Sequence, residues 1–153
     1  MLILLLSIGA ERYGIDASKI FEVGPLVSLR SPPHSPPEFL GWCNYRGQVT
    51  PVVDLTRLLS GKRSQDFLST RLLFIDLPRT DGGLLRLGLA AEQVTETFQV
   101  TPDRIQPASL HLKDAPYLDG VIVEAGGLIQ IIRTEKILSD SLREALDLKG
   151  PEA

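Results

Sequence analysis

Short apolar segments, separated at frequent intervals by turn-forming residues, restrict the fold of this chain more than any other feature. They predict about nine or ten short strands, a pattern typical of β-barrels and β-sandwiches. The exception is Thr134–Leu148, where apolar residues recur at the i, i+4, i+7, i+8 spacing of an amphipathic helix. We expect Thr134 to cap the start of this longer helix.

Two tight hairpins are predicted from glycine-containing turns. Leu40–Tyr45 and Gln48–Leu55 flank the first turn, Arg46-Gly47, and Tyr117–Glu124 and Leu128–Ile132 flank the second. Glycine supplies the positive φ that such turns require. Each hairpin therefore brings two neighbouring strands together in antiparallel order.

The second arm of the first hairpin carries further signals. Pro51 cannot donate a hydrogen bond to a neighbouring strand, so we expect a sheet edge or a bulge there. Asp54–Leu59 follows as a short helix with Asp54 or Thr56 as its cap. Further along, Pro102–Pro116 is predicted to be mostly loop. Alternation along the arm places four residues on one face: Val49, Pro51, Val53 and Leu55.

Composition and charge exclude several classes of protein. The 153 residues suit about one domain. A net charge of -3 and 6% aromatic residues argue against a nucleic-acid surface, which needs clustered positive charge. One cysteine, Cys43, excludes an internal disulfide framework, and with His34 and His111 far apart no structural zinc site is expected. We expect neither a metal nor an organic cofactor.

The amino-terminal segment Met1–Gly9 is apolar but lacks the preceding positive charges of a signal peptide. Its apolar run, Leu2–Leu6, is far shorter than the ~20 residues of a membrane-spanning helix. We therefore expect a buried first strand. With no export signal and a free cysteine, a cytoplasmic protein is expected. Because this strand begins at the initiator methionine, an amino terminus further upstream is left open.

Residue patterns of catalysis are weak in this chain. His34 and His111 lie in predicted loops, and neither accompanies a nucleophile signature. Gly83–Gly88 has the glycine spacing of a phosphate-binding loop but no following Lys-Ser/Thr, so it is predicted to be a strand. Cys43 lies in an apolar strand, where a small buried role is expected. An enzyme is therefore not expected.

The residues around the first hairpin resemble the signature of the CheW-like coupling domain. That family carries a glycine, an Asn-x-Arg-Gly turn and then Pro-hydrophobic-hydrophobic-Asp-Leu. The matching residues here are Gly41, Asn44, Arg46-Gly47 and Pro51-Val52-Val53-Asp54-Leu55. Shorter matches lie on both sides in the family's order: Tyr13-Gly14-Ile15, Ile20-Phe21-Glu22-Val23, Gly88–Val94 and Tyr117–Gly120. Two residues depart from the pattern, Glu92 and Arg133, which stand where the family has or often has Asp.

The resemblance implies an all-β fold of two packed, five-stranded SH3-like β-barrels, with a short helix or two and a carboxy-terminal helix. It implies a CheW-like domain over residues 1–138, followed by a helix and tail over 139–153. Each barrel is expected to close around its own apolar core. The residues predicted to be mostly buried are Leu5, Ile15, Val49, Val53, Leu73, Ile75, Leu87, Val121, Ile129 and Ile131.

The resemblance also implies a function without catalysis. Members of the family are adaptors that join a CheA-like histidine kinase to methyl-accepting chemoreceptors in bacterial two-component chemotaxis pathways. The regulatory domain of the kinase pairs with the adaptor barrel to barrel. The helical cytoplasmic tip of the receptor docks in the groove between the two barrels.

Candidate partner-binding residues follow from the resemblance. The receptor groove is predicted to include Ile20, Glu22, Val23, Arg46, Val94, Thr97 and Phe98. The turn motif comprises Asn44, Gly47, Pro51 and Asp54. Arg46 either grips the partner, since an arginine fork suits carboxylates and carbonyls, or reaches back to Glu22 or Asp54 and braces the turn. Phe98 is also a core candidate, because large apolar side chains are usually buried.

Other functions stay open at this point. An adaptor of pilus-driven or light-directed motility would have the same sequence features as one of flagellar chemotaxis. A small nucleic-acid-binding barrel would need a basic, aromatic face, and a small hydrolase or transferase would need a convergent polar site. The barrel edge that binds the kinase is not assigned to particular residues.

Overall fold

The computed structural model describes residues 1–62, 70–79, 81–107, 115–125 and 127–148, with side chains as far as residue 146. His111 lies outside the described residues. No described helix is long and apolar enough to cross a membrane. The strands are β1 (Leu2–Ile8), β2 (Glu11–Asp16), β3 (Ile20–Pro25), β4 (Phe39–Tyr45), β5 (Gln48–Asp54), β6 (Arg71–Pro78), β7 (Leu84–Ala91), β8 (Val94–Gln99), β9 (Ile105–Pro107), β10 (Leu118–Glu124) and β11 (Gly127–Ile132). The α-helices are α1 (Leu55–Ser60) and α2 (Asp140–Leu148).

The described strands form two sheets. The first has the order β8-β1-β2-β11-β10-β9, and the second has the order β3-β6-β7-β5-β4. Neighbouring strands are antiparallel except for β2 with β11 and β5 with β7, which are parallel. The second sheet uses the middle of the chain, whereas the first takes strands from both ends. The all-β class implied by the resemblance is confirmed.

Apolar residues on both faces explain why several strands are continuous apolar runs. In β1, Ile3 and Leu5 belong to one buried cluster, while Leu4, Leu6 and Ile8 belong to another. Successive side chains of a strand point to opposite faces of the sheet. A strand that is covered on both faces therefore needs apolar residues at consecutive positions. The same holds for β6, which supplies residues to two clusters.

The buried side chains of the described residues form a shared layer and two interior clusters. The shared layer draws on both sheets and on α2. The strand residues of each interior cluster come from one sheet, as expected for two packed barrels. The first sheet encloses Ile3, Leu5, Val100, Ile122, Ile129 and Ile131, and the second encloses Tyr45, Val52, Leu72, Phe74 and Ala90.

The first sheet has one strand more than the resemblance implied. Ile105–Pro107 pairs with β10 as the short edge strand β9, in a segment predicted to be mostly loop. The pairing brings a backbone very close to Gly120, since a Cβ there would lie 2.6 Å from the carbonyl oxygen of Gln106. A three-residue strand is too short to show an alternating pattern, so its pairing was not predicted.

The predicted helix over Thr134–Leu148 is wrong as a single element. Thr134–Lys136 forms a 3-10 turn, with Arg133 and not Thr134 at its cap position, and α2 begins only at Asp140. The Ser139 hydroxyl accepts a hydrogen bond from the backbone N–H of Leu142 at 3.2 Å. This side-chain cap starts a new helix after the break. The apolar stripe is nevertheless buried in the shared layer through Leu138, Leu142 and Leu146.

The second arm of the first hairpin differs from its predicted burial. Val49 is 68% exposed, contrary to the prediction. The ladder between β5 and β7 comprises Val52–Asp54, so Val49 lies beyond it, towards the hairpin turn. Pro51 also precedes this ladder and faces Trp42 of β4. Although β5 is an internal strand, Pro51, which has no N–H to donate, therefore lies before the ladder between β5 and β7 begins. Of the other predicted core residues, Val121 is only half-buried.

Candidate partner-binding site

The turn of the first hairpin holds Arg46 in an unusual backbone conformation. Arg46 and Gly47 have φ values of 50° and 84°. Positive φ at both central residues is the pattern of a type I′ turn, which matches the twist of the flanking strands. The Asn44 side chain stabilises the turn by accepting a hydrogen bond from the N–H of Gly47 at 2.8 Å. The Asn-x-Arg-Gly motif is therefore a conformational unit that projects Arg46.

Arg46 and Glu22 join the two edge strands of the second sheet. Nη2 of Arg46 donates to Oε1 of Glu22 at 2.7 Å. Glu22 lies on β3 and Arg46 directly follows β4, at opposite ends of the strand order. The ion pair thus helps to close the sheet into a barrel. Of the two bracing partners considered for Arg46, Glu22 is the one in contact.

Three aromatic rings pack beneath this ion pair. Tyr45 stacks on Phe74 with 4.4 Å between ring centroids, and Phe21 meets Tyr45 edge-on at 5.8 Å. These residues come from β4, β6 and β3. Tyr45 and Phe74 are buried, whereas Phe21 is 43% exposed. The cluster links the edge strands through apolar contact as well as charge.

Arg86 covers this aromatic cluster. Its guanidinium carbon lies 4.2 Å from the Phe21 ring centroid and 5.8 Å from that of Tyr45. Asp76 accepts two hydrogen bonds from it, at 3.0 and 3.1 Å. The hydrogen bonds that Arg86 donates to Asp76 raise the pKa of Arg86 above its usual value. Sequence analysis did not identify Phe21, Asp76 or Arg86 as site residues.

The electrostatics of the cluster act on Tyr45. Burial raises the pKa of its phenol, and the carboxylate of Glu22 beside the hydroxyl raises it further. Arg46 and Arg86 act in the opposite direction by stabilising the phenolate. Tyr45 therefore stays a neutral hydrogen-bonding group near neutral pH. The carboxylate of Glu22 faces positive and neutral groups within the cluster.

Apart from Arg46 in the hairpin turn, the predicted groove residues fall on one edge strand of each sheet. Ile20, Glu22 and Val23 lie on β3, where Ile20 packs on the shared layer and Val23 is 46% exposed. Val94, Thr97 and Phe98 lie on β8, the edge of the first sheet. Val94 packs on the shared layer, Thr97 is exposed, and Phe98 packs on the interior cluster of the first sheet. The structure brings Glu22 and Arg46 into contact; Ile20 and Val94 border the same layer.

Asp54 has a structural position. It is fully buried, and its Oδ1 accepts a hydrogen bond from the N–H of Arg57 at 3.2 Å as the cap of α1. The backbone N–H of Asp54 donates to the carbonyl of Glu38. Together with Pro51, which is also buried in β5, Asp54 belongs to the scaffold of the motif.

Asp54→Ala is expected to lower the free energy of unfolding by about 1–2 kcal/mol, because α1 loses its capping acceptor. Asp54→Asn keeps a side-chain oxygen and should retain most of the stability. Chemical denaturation of both variants measures the difference. Equal losses in the two variants would show that the charge of Asp54, and not its capping oxygen, is what the fold requires.

The described residues offer recognition chemistry. They contain no group of three or more His, Cys, Asp or Glu side chains that could hold a metal ion. Burial raises the pKa of the Cys43 thiol, which disfavours the reactive thiolate. Exposed apolar side chains on an edge strand, beside a fixed arginine and a carboxylate, suit a protein partner. The fold and the site together define a β-domain that binds other proteins.

The chain belongs to the CheW-like domain family, whose model matches residues 2–142. A probable chemotaxis protein CheW of Rhizobium etli is 26% identical over 140 residues, covering 90% of this chain and 87% of that protein. The chemotaxis protein CheW of Helicobacter pylori is 28% identical over 132 residues, covering 86% and 77%. Family members are non-catalytic scaffold or adaptor proteins, which confirms that the chain is not an enzyme.

A solved structure supports the fold. The scaffolding protein TtCheW of Thermoanaerobacter tengcongensis superposes with a TM-score of 0.78, covering 92% of this chain and 89% of that one. Its sequence identity is 23%, so the similarity establishes the fold alone. The predicted all-β architecture of two packed barrels is confirmed at the level of the fold. The assignment of individual groove residues stays a prediction.

Proposed function

We propose that this chain is a cytoplasmic adaptor that couples a CheA-like histidine kinase to the cytoplasmic tip of methyl-accepting chemoreceptors. The match of the CheW-like family to residues 2–142 carries the proposal. The chemotaxis proteins among its relatives support a two-component pathway of this type. In this role the chain converts no substrate; it holds two other proteins next to each other.

The chain has enough surface for two partners. A standard protein interface takes about 800 Å² from each partner, and the accessible surface of the chain is 9062 Å². Two separate interfaces, about 1600 Å² together, would therefore occupy somewhat less than a fifth of it. The regulatory domain of the kinase is proposed to pair with one barrel edge through an apolar centre. The receptor tip is proposed to take the other surface.

The receptor surface is proposed to lie between β3 and β8. Each is an edge strand of its sheet, and Ile20 and Val94 both border the shared layer between the barrels. Val23 offers an exposed apolar contact, and Glu22 and Arg46 offer opposite charges that fix the orientation of a helix. An amphipathic helix laid in a groove needs this combination of apolar anchors and polar positioning groups.

The particular kinase and receptors that the chain binds define the type of pathway in which it works. An adaptor in flagellar chemotaxis, pilus-driven motility or light-directed motility would use the same classes of kinase and receptor. Binding assays against the receptors and kinases of each system therefore assign the pathway. We propose flagellar-type chemotaxis first, because the named relatives are chemotaxis proteins.

Reconstitution tests the coupling directly. The purified chain should shift the elution of the kinase regulatory domain in size-exclusion chromatography. Kinase should co-sediment with receptor-tip assemblies only when the chain is present, and its autophosphorylation should then respond to the receptor. Omitting the chain, or the receptor, is the matched control. If the chain binds neither the kinase domains nor the receptor tips of the candidate systems, the proposal is wrong.

A further inference from the structure

Arg86 contacts both edge strands of the second barrel from outside the family motif. It lies on β7, where Asp76 of β6 is its direct register partner. Two parallel hydrogen bonds, which Arg86 donates to the carboxylate of Asp76, fix the plane of the guanidinium, as a fork-to-fork pair does. That plane covers Phe21 of β3 and reaches the ring of Tyr45 on β4. The arginine thus links four strands.

Phe21 is the point where β3 leaves its regular register. The ladder with β6 pairs Ile20 with Ile75 and Glu22 with Phe74, and it shifts between Ile20 and Glu22. Phe21 has no register partner there, so the ladder does not fix this residue. Its side-chain contacts with Arg86, Tyr45 and Phe74 hold it instead. The direction in which the next side chain, Glu22, points depends on this bulge.

We propose that Arg86 is a positioning residue for the Glu22–Arg46 pair, acting through its stack on Phe21. Without the stack, the bulge in β3 is held less firmly, and Glu22 no longer presents its carboxylate to Arg46 in one geometry. Because the ion pair is already formed in the free chain, binding does not have to pay the entropic cost of ordering its two side chains. This inference rests on the proposed function, because it assigns to Arg86 an indirect part in partner binding.

The free protein provides the first test. In the wild-type chain, NMR should show close contacts between the Phe21 and Tyr45 rings, whose centroids are 5.8 Å apart. Arg86→Lys keeps the charge but lacks the planar fork, so it should lose these contacts. Asp76→Asn should weaken them as well. Arg104→Gln removes a comparable exposed ion pair with Glu124 and is the control that should leave them unchanged.

Binding of a receptor-tip fragment provides the second test. Arg86→Gln, which leaves no cation over Phe21, should weaken binding about two- to tenfold, the range expected for losing a cation–π contact. Arg86→Lys keeps a cation but lacks the planar fork that fixes it over the ring, so it should also weaken binding. Arg104→Gln should bind like the wild type. If Arg86 acts through the pair, adding Arg86→Gln to Arg46→Ala should weaken binding no further. Phe21→Leu, which removes the ring but keeps an apolar side chain, should weaken binding as Arg86→Gln does.

The outcomes separate this inference from the proposed function. Unchanged ring contacts in Arg86→Lys would overturn the positioning role, whether or not the receptor binds. Additive losses in the double variant would overturn it too, since Arg86 would then act independently of Arg46. If the wild-type chain does not bind the receptor tip while the ring contacts depend on Arg86, the proposed function fails and the structural part of the inference stands.

Discussion

Replacing Gly41 by alanine is expected to destabilise the chain by about 3 kcal/mol or more. Gly41 has a φ of 123°, and a Cβ there would lie 2.4 Å from the carbonyl oxygen of Arg30. A non-glycine residue therefore meets both a disfavoured backbone conformation and a backbone atom that cannot rotate away. Thermal and chemical denaturation should show a large loss of stability, or the variant should not accumulate in folded form.

Gly47→Ala is the matched control for this prediction. Its φ of 84° is also positive, but nothing lies within 4 Å of a Cβ at this position. The variant should lose only about 1 kcal/mol, from the backbone conformation alone. If Gly41→Ala is no less stable than Gly47→Ala, the close approach of Arg30 does not constrain the fold.

The glycine of the family motif is required by a contact with a segment outside that motif. Arg30 belongs to the connection between β3 and β4, which also contains several prolines. This connection passes against the point where the register of β4 shifts, between Phe39 and Gly41. The resemblance identified the glycine, whereas the backbone contact that requires it joins segments that sequence patterns treat separately.

Much of the fold could be predicted because its signals are local. Glycine-containing turns located both hairpins, and runs such as Leu2–Ile8 and Thr70–Leu77 were long enough to predict strands, which the structure has at Leu2–Ile8 and Arg71–Pro78. The helix over Thr134–Leu148 failed because apolar periodicity continues across a break that Ser139 imposes by capping α2. The start of the helix therefore depends on one short side chain, whereas the apolar pattern fits a helix equally well on both sides of it.

The site could be predicted only in part. The resemblance supplied Glu22 and Arg46, and the structure joins them. The Asp76–Arg86 pair lies symmetrically about the turn between β6 and β7, so exact strand bounds would have predicted their contact. The stack of Arg86 on Phe21 was beyond sequence analysis, because it depends on the bulge in β3 and on the closure of the barrel.

The ion pair between Arg46 and Glu22 can contribute to the stability of the fold, to the binding of a partner, or to both. Three-quarters of the Arg46 side chain is exposed, so the pair lies in a strongly screened environment. Exposed ion pairs contribute about 0–1 kcal/mol to stability. An interface arginine that a partner buries contributes about 1–3 kcal/mol to binding. The same side chain should therefore matter more for the complex than for the fold.

Two substitutions of Arg46 separate these contributions. Arg46→Ala and Arg46→Gly both remove the side chain, but the backbone at this position has a positive φ of 50°. Alanine keeps the conformational cost that arginine had, whereas glycine relieves about 1 kcal/mol of it. The two variants should therefore differ in stability, with glycine the more stable. They should bind a receptor tip equally weakly, because neither has a guanidinium.

Calorimetric titration and thermal melts of the same samples decide the role of Arg46. As a docking residue, its loss in either variant weakens receptor binding by about 1–3 kcal/mol, and Arg46→Ala changes the free energy of unfolding by less than about 1 kcal/mol. As a brace alone, Arg46→Ala lowers stability while its folded fraction binds like the wild type. Glu22→Gln extends the comparison, because it removes the charge opposite Arg46 but leaves the arginine in place. If Arg46→Gly binds the receptor tip as tightly as the wild-type chain, the side chain of Arg46 has no part in docking.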